Sequence, residues 1–259
     1  MGGKEGLPLD PERFGCCLRR RIRKDLIRFE REESMIEYTL IRSKRRTMAI
    51  HIKKDITLEV RAPLKTPKAE IDRFVMSKRN WIEKHLAAIA QQADNRARFS
   101  IRYNDTLSLQ GREYPIIAKE GKRAGFDDQC FFLPPALPPD EIKRVIIQVY
   151  RAVAKEILAN KVNDYSKQMG VMPAAVKVNS AKTRWGSCSG KNIINFSWRL
   201  VMADDDVINY VVVHELAHIR EHNHSERFWR VVASVLPDYE RRRKKLKEFQ
   251  RKLANEDWD

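Results

Sequence analysis

Apolar residues recur every three or four positions in several long stretches of the chain. This spacing puts them on one face of a helix, which can then be buried against a core. The longest such stretch runs from Asp140 to about Met169 and stops before Gly170. Further helices are predicted over 10–33, over about 67–93, over about 205–220, from near Ser225 and after Pro237.

Shorter stretches alternate apolar and polar residues, which is the pattern of a strand with one buried face. Three of them, MIEYTLIRS, TMAIHIKK and ITLEVRAP, predict a small antiparallel sheet between Met35 and Ala62. One hairpin is predicted with its turn at Gln110-Gly111, and another on both sides of 187–190. The predicted fold class is therefore α+β, with small antiparallel or mixed sheets.

The proline-rich segment CFFLPPALPPD interrupts both patterns and indicates a boundary. We predict three parts on this basis. A basic helical extension occupies 1–34, a β-rich subdomain with one long helix occupies 35–138, and a second domain that carries the chemistry occupies 139–259.

Length and composition indicate a folded protein, because 259 residues with a hydrophobic fraction of 42% can bury a core. No stretch approaches the roughly 20 apolar residues of a membrane-spanning helix. The start MGGKEGLPLD lacks the charged and apolar regions of a signal peptide. These features predict a cytoplasmic protein without a transmembrane segment.

A net charge of +16 favours anionic partners through long-range attraction. The basic residues cluster at 19–21, 44–46 and 241–245, and each run could meet nucleic acid or a membrane face. Such runs are also common on surfaces that only keep a basic protein soluble. Nucleic acid is therefore one candidate partner.

The segment VINYVVVHELAHIREHNHSERFW carries His214 and His218 four positions apart on a run of helix-forming apolar residues. Side chains at this spacing lie on one face of a helix, so both imidazoles can reach one zinc ion. Glu215 projects beside them, where it can accept a proton from the hydrolytic water. Four of the six histidines of the chain fall between 214 and 224, which is far more than scattered placement would give.

A catalytic zinc needs three protein ligands and one open position, so a third ligand is required. His224 is the preferred candidate, because Asn223 in a left-handed conformation after the helix would swing the chain back across the metal. His222 is the rival, since it would lie four positions beyond His218 if the helix continued. It would then be nearly too far along the helix to share a metal with His214.

The segments TRWGSCSGKNIINFSWRL, YVVVHELAH and NHSERFW stand in the same order as in the YgjP-like branch of the SprT-like zinc metallopeptidases, which this chain resembles. The resemblance extends to MIEYTLIRSKRRTMAIHI and RNWIEKHL, and it covers most of 35–240 but not 1–34. It implies a minimal zincin-like core with a sheet edge over one zinc ion and Glu215 as catalytic base. The metal ligands that it implies are His214, His218 and His224.

Four further residues are candidates for the walls of the cleft: Trp185, Cys188, His222 and Tyr239. Trp185 and the nearby Trp198 can equally belong to the core, because large aromatic side chains dominate buried area. Cys188 could instead approach zinc as a fourth ligand, which would make the site structural. Tyr239 and His222 are also candidates for a second oxyanion donor.

Together these patterns predict a zinc-dependent peptidase that hydrolyses polypeptides with a zinc-activated water and Glu215 as general base. An extended substrate is predicted to add a strand to the hairpin edge near 193–199. Phe228 and Trp229 are assigned to packing beneath the second helix of the site. Two alternatives remain, a nucleic-acid-associated basic protein with a structural zinc and a zinc amidohydrolase that is not a peptidase.

Overall fold

The computed structural model describes residues 36–53 and 55–259. Within this part the chain forms two compact units, one ending at Arg98 and one beginning at Phe99. Each unit has its own apolar core, and both combine helices with small sheets, so the predicted α+β class is confirmed. The predicted helix over 10–33 and the extension that contains it lie outside the described residues.

The first unit combines a small sheet with two helices: β1 (Thr39–Ser43), β2 (Ala49–Ile52), β3 (Leu58–Pro63), α1 (Lys68–Ser77) and α2 (Arg79–Arg98). Strand β3 lies in the middle, antiparallel to β2 but parallel to β1, so the predicted all-antiparallel sheet is wrong for that second pair. Leu58, Val60 and Ala62 are buried and make β3 the most buried strand. Alternation predicts which face of a strand is buried, but it does not predict its neighbours.

The sequence predicts one helix over about 67–93, whereas the structure has two. Lys78 leaves the helical geometry with φ −105° and ψ 10°, and its N–H donates to the carbonyl oxygen of Val75 at 3.0 Å. The apolar positions keep their spacing across the break, because Ile71, Val75 and Ile82 belong to the same core. Periodicity therefore detects the shared buried face and misses the turn.

The second unit begins with a four-stranded sheet in the order β4-β5-β7-β6, formed by β4 (Thr106–Leu109), β5 (Arg112–Ala118), β6 (Gly125–Phe126) and β7 (Phe131–Leu133). The predicted hairpin between β4 and β5 is confirmed. Its turn residues Gln110 and Gly111 both have positive φ, 51° and 78°, as a type I′ turn requires. The backbone N–H of Gln110 donates to the carbonyl oxygen of Val201 at 2.8 Å, which anchors the turn.

The predicted long helix is confirmed as α3 (Pro139–Met169). Prolines begin it, and Gly170 ends it in the left-handed conformation with φ 59°. The fully buried Tyr150 packs against Phe131 of β7 and donates its hydroxyl hydrogen to the carbonyl oxygen of Ser108 at 2.7 Å. The helix and the four strands therefore share one core.

This shared core explains why the two units divide between Arg98 and Phe99 instead of at the predicted 138–139. The proline-rich segment connects β7 to α3, which pack on each other. Prolines end a strand and begin a helix there, but the chain does not leave the core.

A third sheet follows α3 in the order β8-β10-β9, with β8 (Ala175–Asn179), β9 (Gly186–Cys188) and β10 (Ile193–Ser197). The predicted hairpin consists of β9 and β10, while β8 pairs with β10 in parallel. Strand β10 is thus paired on both sides, so the substrate-binding edge predicted near 193–199 is wrong. The edge strand of this hairpin is β9.

A 3₁₀ helix (Trp198–Met202) leads into the last three helices, α4 (Asp205–Ala217), α5 (Glu226–Val235) and α6 (Tyr239–Leu253). All three are predicted from the sequence, although α4 ends before the predicted 220. Trp198 is fully buried, so its assignment to the core is confirmed. In the part of the chain that the structure describes, no helix has the length and apolar character needed to cross a bilayer.

Gly111 is expected to be essential for the turn that anchors the β4–β5 hairpin. A Cβ at this position would lie 2.8 Å from Asp204 Oδ1 and 3.0 Å from its Cα, in a left-handed backbone conformation. The conformation alone costs an alanine about 1–2 kcal/mol, and the contact with the Asp204 main chain adds to that cost. Gly111→Ala should therefore lower the free energy of unfolding in urea by more than 2 kcal/mol, to order of magnitude.

Gly121→Ala is the matched control, since Gly121 has φ +114° but open space around its missing Cβ. It should show the conformational cost alone. Equal losses for the two variants would mean that the packing against Asp204 does not matter.

Candidate metal centre

Helix α4 places the histidine motif inside the core of the second unit. Three consecutive valines, Val211, Val212 and Val213, are buried, and so are Leu216 and Ala217. The helix begins after Asp204, and two more acidic residues occupy its first turn, where the helix dipole favours negative charge. The apolar sequence therefore buries α4 and carries its polar residues inward with it.

Three imidazoles converge at the end of this helix, and we call His214, His218 and His224 the histidine triad. One nitrogen from each ring lies within 4.8 Å of the others, and the Nε2 atoms of His214 and His224 are 3.0 Å apart. Two nitrogens bound tetrahedrally to one zinc at about 2.0–2.1 Å would be separated by about 3.3 Å. The spacing therefore fits a shared metal ion.

A hydrogen bond fixes the orientation of the His218 ring. Its Nδ1 is 3.1 Å from the carbonyl oxygen of Glu221. Because a carbonyl oxygen only accepts, Nδ1 carries the hydrogen and Nε2 keeps its lone pair for a metal. Metal-binding histidines are commonly oriented in this way.

Burial favours the neutral, metal-binding form of two histidines of the triad, His214 and His218. Removal from water, with a smaller contribution from the charges of His218 and His224, lowers the pKa of His214 to about 3. Burial also lowers the pKa of His218. Phe228 is fully buried beneath the triad, with its ring 4.9, 4.5 and 4.8 Å from the rings of His214, His218 and His224. Its predicted packing role is thereby confirmed.

The loop after α4 brings His224 to the other two histidines and leaves His222 out of the group. The helix ends at Ala217, and His218 follows as its C-terminal cap. The left-handed Asn223 that the sequence suggests is wrong, because Asn223 has no positive φ. Its side-chain oxygen instead accepts the N–H of Ser225 at 3.1 Å and shapes the approach to α5.

Glu215 lies at the core side of the triad and is only 6% exposed. Burial raises the pKa of its carboxyl group to about 7, and the positive charge of Arg184 opposes this rise. A Cβ on Gly186 would lie 2.6 Å from both the Cγ and the Oε1 of Glu215. Strand β9 therefore passes directly over the carboxylate at its one glycine.

Gly186 is a residue that sequence reasoning missed, although it lies inside the noted segment TRWGSC. A glycine inside a strand often marks the close approach of another group, and that signal was present. The neighbouring residues Trp185 and Cys188 have different surroundings. The ring of Trp185 packs on Phe249 at 5.1 Å, and Cys188 is half-buried, with a pKa raised by burial and then by the charge of Glu215.

Cys188 does not belong to the group of potential metal ligands that the described residues form, which consists of the histidine triad. The fourth-ligand alternative for this thiol therefore gains no support. Tyr239 is connected to the triad through the ring of Trp229. It stacks on Trp229 at 5.2 Å, and Trp229 in turn stacks on His224 at 5.8 Å.

The basic run at 241–245 is largely paired with acidic residues of the same unit. Arg242 Nε is 2.7 Å from Asp238, Lys245 Nζ is 3.0 Å from Asp206, and Arg241 bonds to both aspartates. The hydrogen bonds from Arg241 and Arg242 hold the pKa of Asp238 down to about 2. Three of the five cations are thus used within the fold, which weakens this run as an indication of nucleic-acid binding.

Comparison with known proteins gives one match that spans most of the chain. The family model of the YgjP-like metallopeptidase domain matches residues 46–249 and confirms the resemblance. The comparison with curated proteins finds no match. Among solved structures, the crystal structure of the metallopeptidase zymogen of Pyrococcus abyssi abylysin is similar at 23% identity, covering 39% of this chain and 98% of that chain, with a TM-score of 0.34. That score is too low to establish a shared fold.

The triad is expected to bind one zinc ion per chain. Replacement of His214, His218 or His224 by alanine removes a metal ligand. Each variant should therefore bind zinc more than about 100-fold more weakly, because losing a ligand costs more affinity than losing a residue that only orients one. The measurement is metal content after dialysis, followed by competition with a chromogenic chelator. His222→Ala is the matched control from the same loop and should bind zinc like the wild type. A loss equal to that of His224→Ala would show that the third ligand is misassigned.

Proposed function

Because this chain belongs to the YgjP-like metallopeptidase family, we propose that it hydrolyses peptide bonds with a zinc ion held by the histidine triad and with Glu215 as general base. The single observation that carries this proposal is the convergence of three imidazoles on the helix that also carries the buried carboxylate of Glu215. Three protein ligands leave one position for the reaction, as in catalytic zinc sites.

When bound, zinc polarises the peptide carbonyl and lowers the pKa of the attacking water. The residues of the chain orient the imidazoles and transfer the proton. The hydrogen bond to Glu221 holds the His218 ring in place, and the buried Phe228 supports all three imidazoles. Glu215 takes the proton of the attacking water and then passes it to the leaving nitrogen. Its raised pKa supports this role, because a group that both accepts and releases a proton works best near neutrality.

Strand β9 is the proposed binding edge for an extended polypeptide substrate. It pairs with β10 on one side, and it passes over Glu215 at Gly186. An extended peptide can add a strand to such an edge through main-chain hydrogen bonds. A peptide bound there would run across the carboxylate, which places its backbone where the base is needed.

Glu215→Gln should separate metal binding from hydrolysis. The amide keeps the size of the carboxyl group but cannot accept the proton, so kcat/KM on an unfolded-protein substrate should fall roughly 10²- to 10⁴-fold while zinc content is unchanged. Zinc analysis and hydrolysis are measured on the same samples. Retained activity with retained zinc would leave the metal with a structural role and remove the proposed function.

Gly186→Ala should misplace the base without removing the metal. Its added methyl group would lie 2.6 Å from Glu215 Oε1, so the carboxylate must move by about 1 Å, and such a shift can cost about 100-fold in rate. Gly190→Ala is the matched control in the same hairpin, because no atom lies within 4 Å of its missing Cβ. The control should keep full activity and the unfolding temperature of the wild type, and both variants should keep zinc. Undiminished hydrolysis by Gly186→Ala would show that the carboxylate does not need this clearance.

A further inference from the structure

An aromatic wall stands beside the histidine triad, formed by Tyr210, Trp229 and Tyr239. The Trp229 ring stacks on His224 and lies 5.9 Å from His214, and its neighbour Tyr239 stacks on it at 5.2 Å. Tyr210 lies one turn before His214 on α4, with the two rings 5.8 Å apart. The sequence assigns Trp229 to packing, but only Tyr210 of the three is buried.

One cation lies over this wall. The guanidinium of Arg243 is 5.4 Å from the centre of the Trp229 ring. Arg241, Arg242 and Lys245, on the same helix α6, all form ion pairs with aspartates. Arg243 forms none within the described part of the chain, and its side chain is exposed.

Arg243 and the triad are linked through this indole ring. The guanidinium lies 5.4 Å and the imidazole of His224 5.8 Å from the centre of the Trp229 ring. Arginine favours carboxylates because its planar fork can donate two parallel hydrogen bonds, and stacking on an indole holds that fork in place.

We propose that Arg243, held over Trp229, binds a carboxylate of the substrate close to the cleaved peptide bond. The proposal rests on the proposed peptidase function and specifies its substrate class. One indole ring separates the guanidinium from the triad, and an extended chain advances about 3.4 Å per residue. The two ring distances, 5.4 and 5.8 Å, add up to no more than about three residues of extended chain, so the carboxylate belongs to a residue within about three positions of the cleaved bond. It is either an acidic side chain or the terminal carboxylate of the substrate.

The test compares matched peptides. One pair carries Glu or Gln near the cleaved bond within a longer peptide, and the other pair ends there in a free carboxylate or an amide. A charge-assisted hydrogen bond to the carboxylate should raise kcat/KM roughly 10- to 100-fold for the charged member of one pair. The first pair reports an acidic side chain, and the second reports a terminal carboxylate.

Arg243→Gln should remove this preference, so that the charged and uncharged members of each pair are cleaved at equal rates. Lys244→Gln is the matched control, because it removes the same charge from the next position of α6, and it should keep the preference. Equal rates for both members of both pairs in the wild type would overturn the proposal, and so would a preference that survives Arg243→Gln.

A binding measurement keeps this outcome distinct from failure of the peptidase function. Zinc-loaded Glu215→Gln protein, which should not turn over, is titrated with the same peptides and followed by the fluorescence anisotropy of a labelled peptide. Tighter binding of the carboxylate peptide by roughly 10-fold or more, lost in the Glu215→Gln/Arg243→Gln double variant, supports the carboxylate site even if no peptide is hydrolysed. Equal binding of charged and uncharged peptides overturns it, even if all are hydrolysed.

Discussion

Helix α4 carries histidine and glutamate side chains into the apolar core, and the cost of burying them governs the surrounding structure. Burial of polar groups is unfavourable unless they are paired, and it lowers the pKa of His214, whose ring turns toward that of His224. Among the described residues, His214 Nδ1 is buried without a hydrogen-bond partner, and the facing Nε2 atoms of His214 and His224 have only each other. A metal ion would satisfy this second pair of nitrogens. The core therefore contains a site in which the described residues supply only some of the hydrogen-bond partners that its polar atoms need.

The start of α4 is held as firmly as its end. Asp205 accepts hydrogen bonds from Asn209 and Gln110, each at 2.9 Å, and pairs with Lys161 of α3 at 2.6 Å. Gln110 belongs to the turn of the β4–β5 hairpin, so this network joins the hairpin, the long helix and helix α4. It fixes the start of the helix that carries His214 and His218, whereas the position of His224 depends on the loop that follows.

Much of this arrangement is local and could be predicted from the sequence. The spacing of His214, Glu215 and His218 follows from one turn of helix, and the turn at Gln110-Gly111 follows from residues that tolerate positive φ. Predictions that depend on partners distant in the sequence did less well. The order of the strands, the division into two units and the edge of the third sheet are set by competition for burial, which a single segment does not reveal. His224 is an intermediate case, since its distance along the chain suggested the ligand, while the loop that delivers it has a different shape from the one expected.

Gly186 shows most clearly what a single segment of the sequence cannot predict, because its importance comes from a carboxylate 29 positions later in the chain. From the sequence it is a glycine in a short strand, and nothing in the strand says what approaches it. The basic run on α6 is a second case in which the sequence does not show what each side chain contacts. Five consecutive cations look equivalent in the sequence, but three of them face aspartates and one faces an indole beside the triad. Since a helix turns by about 100° per residue, neighbouring charges must point in different directions. The position around the helix therefore decides which cations stabilise the fold and which are left to meet a substrate.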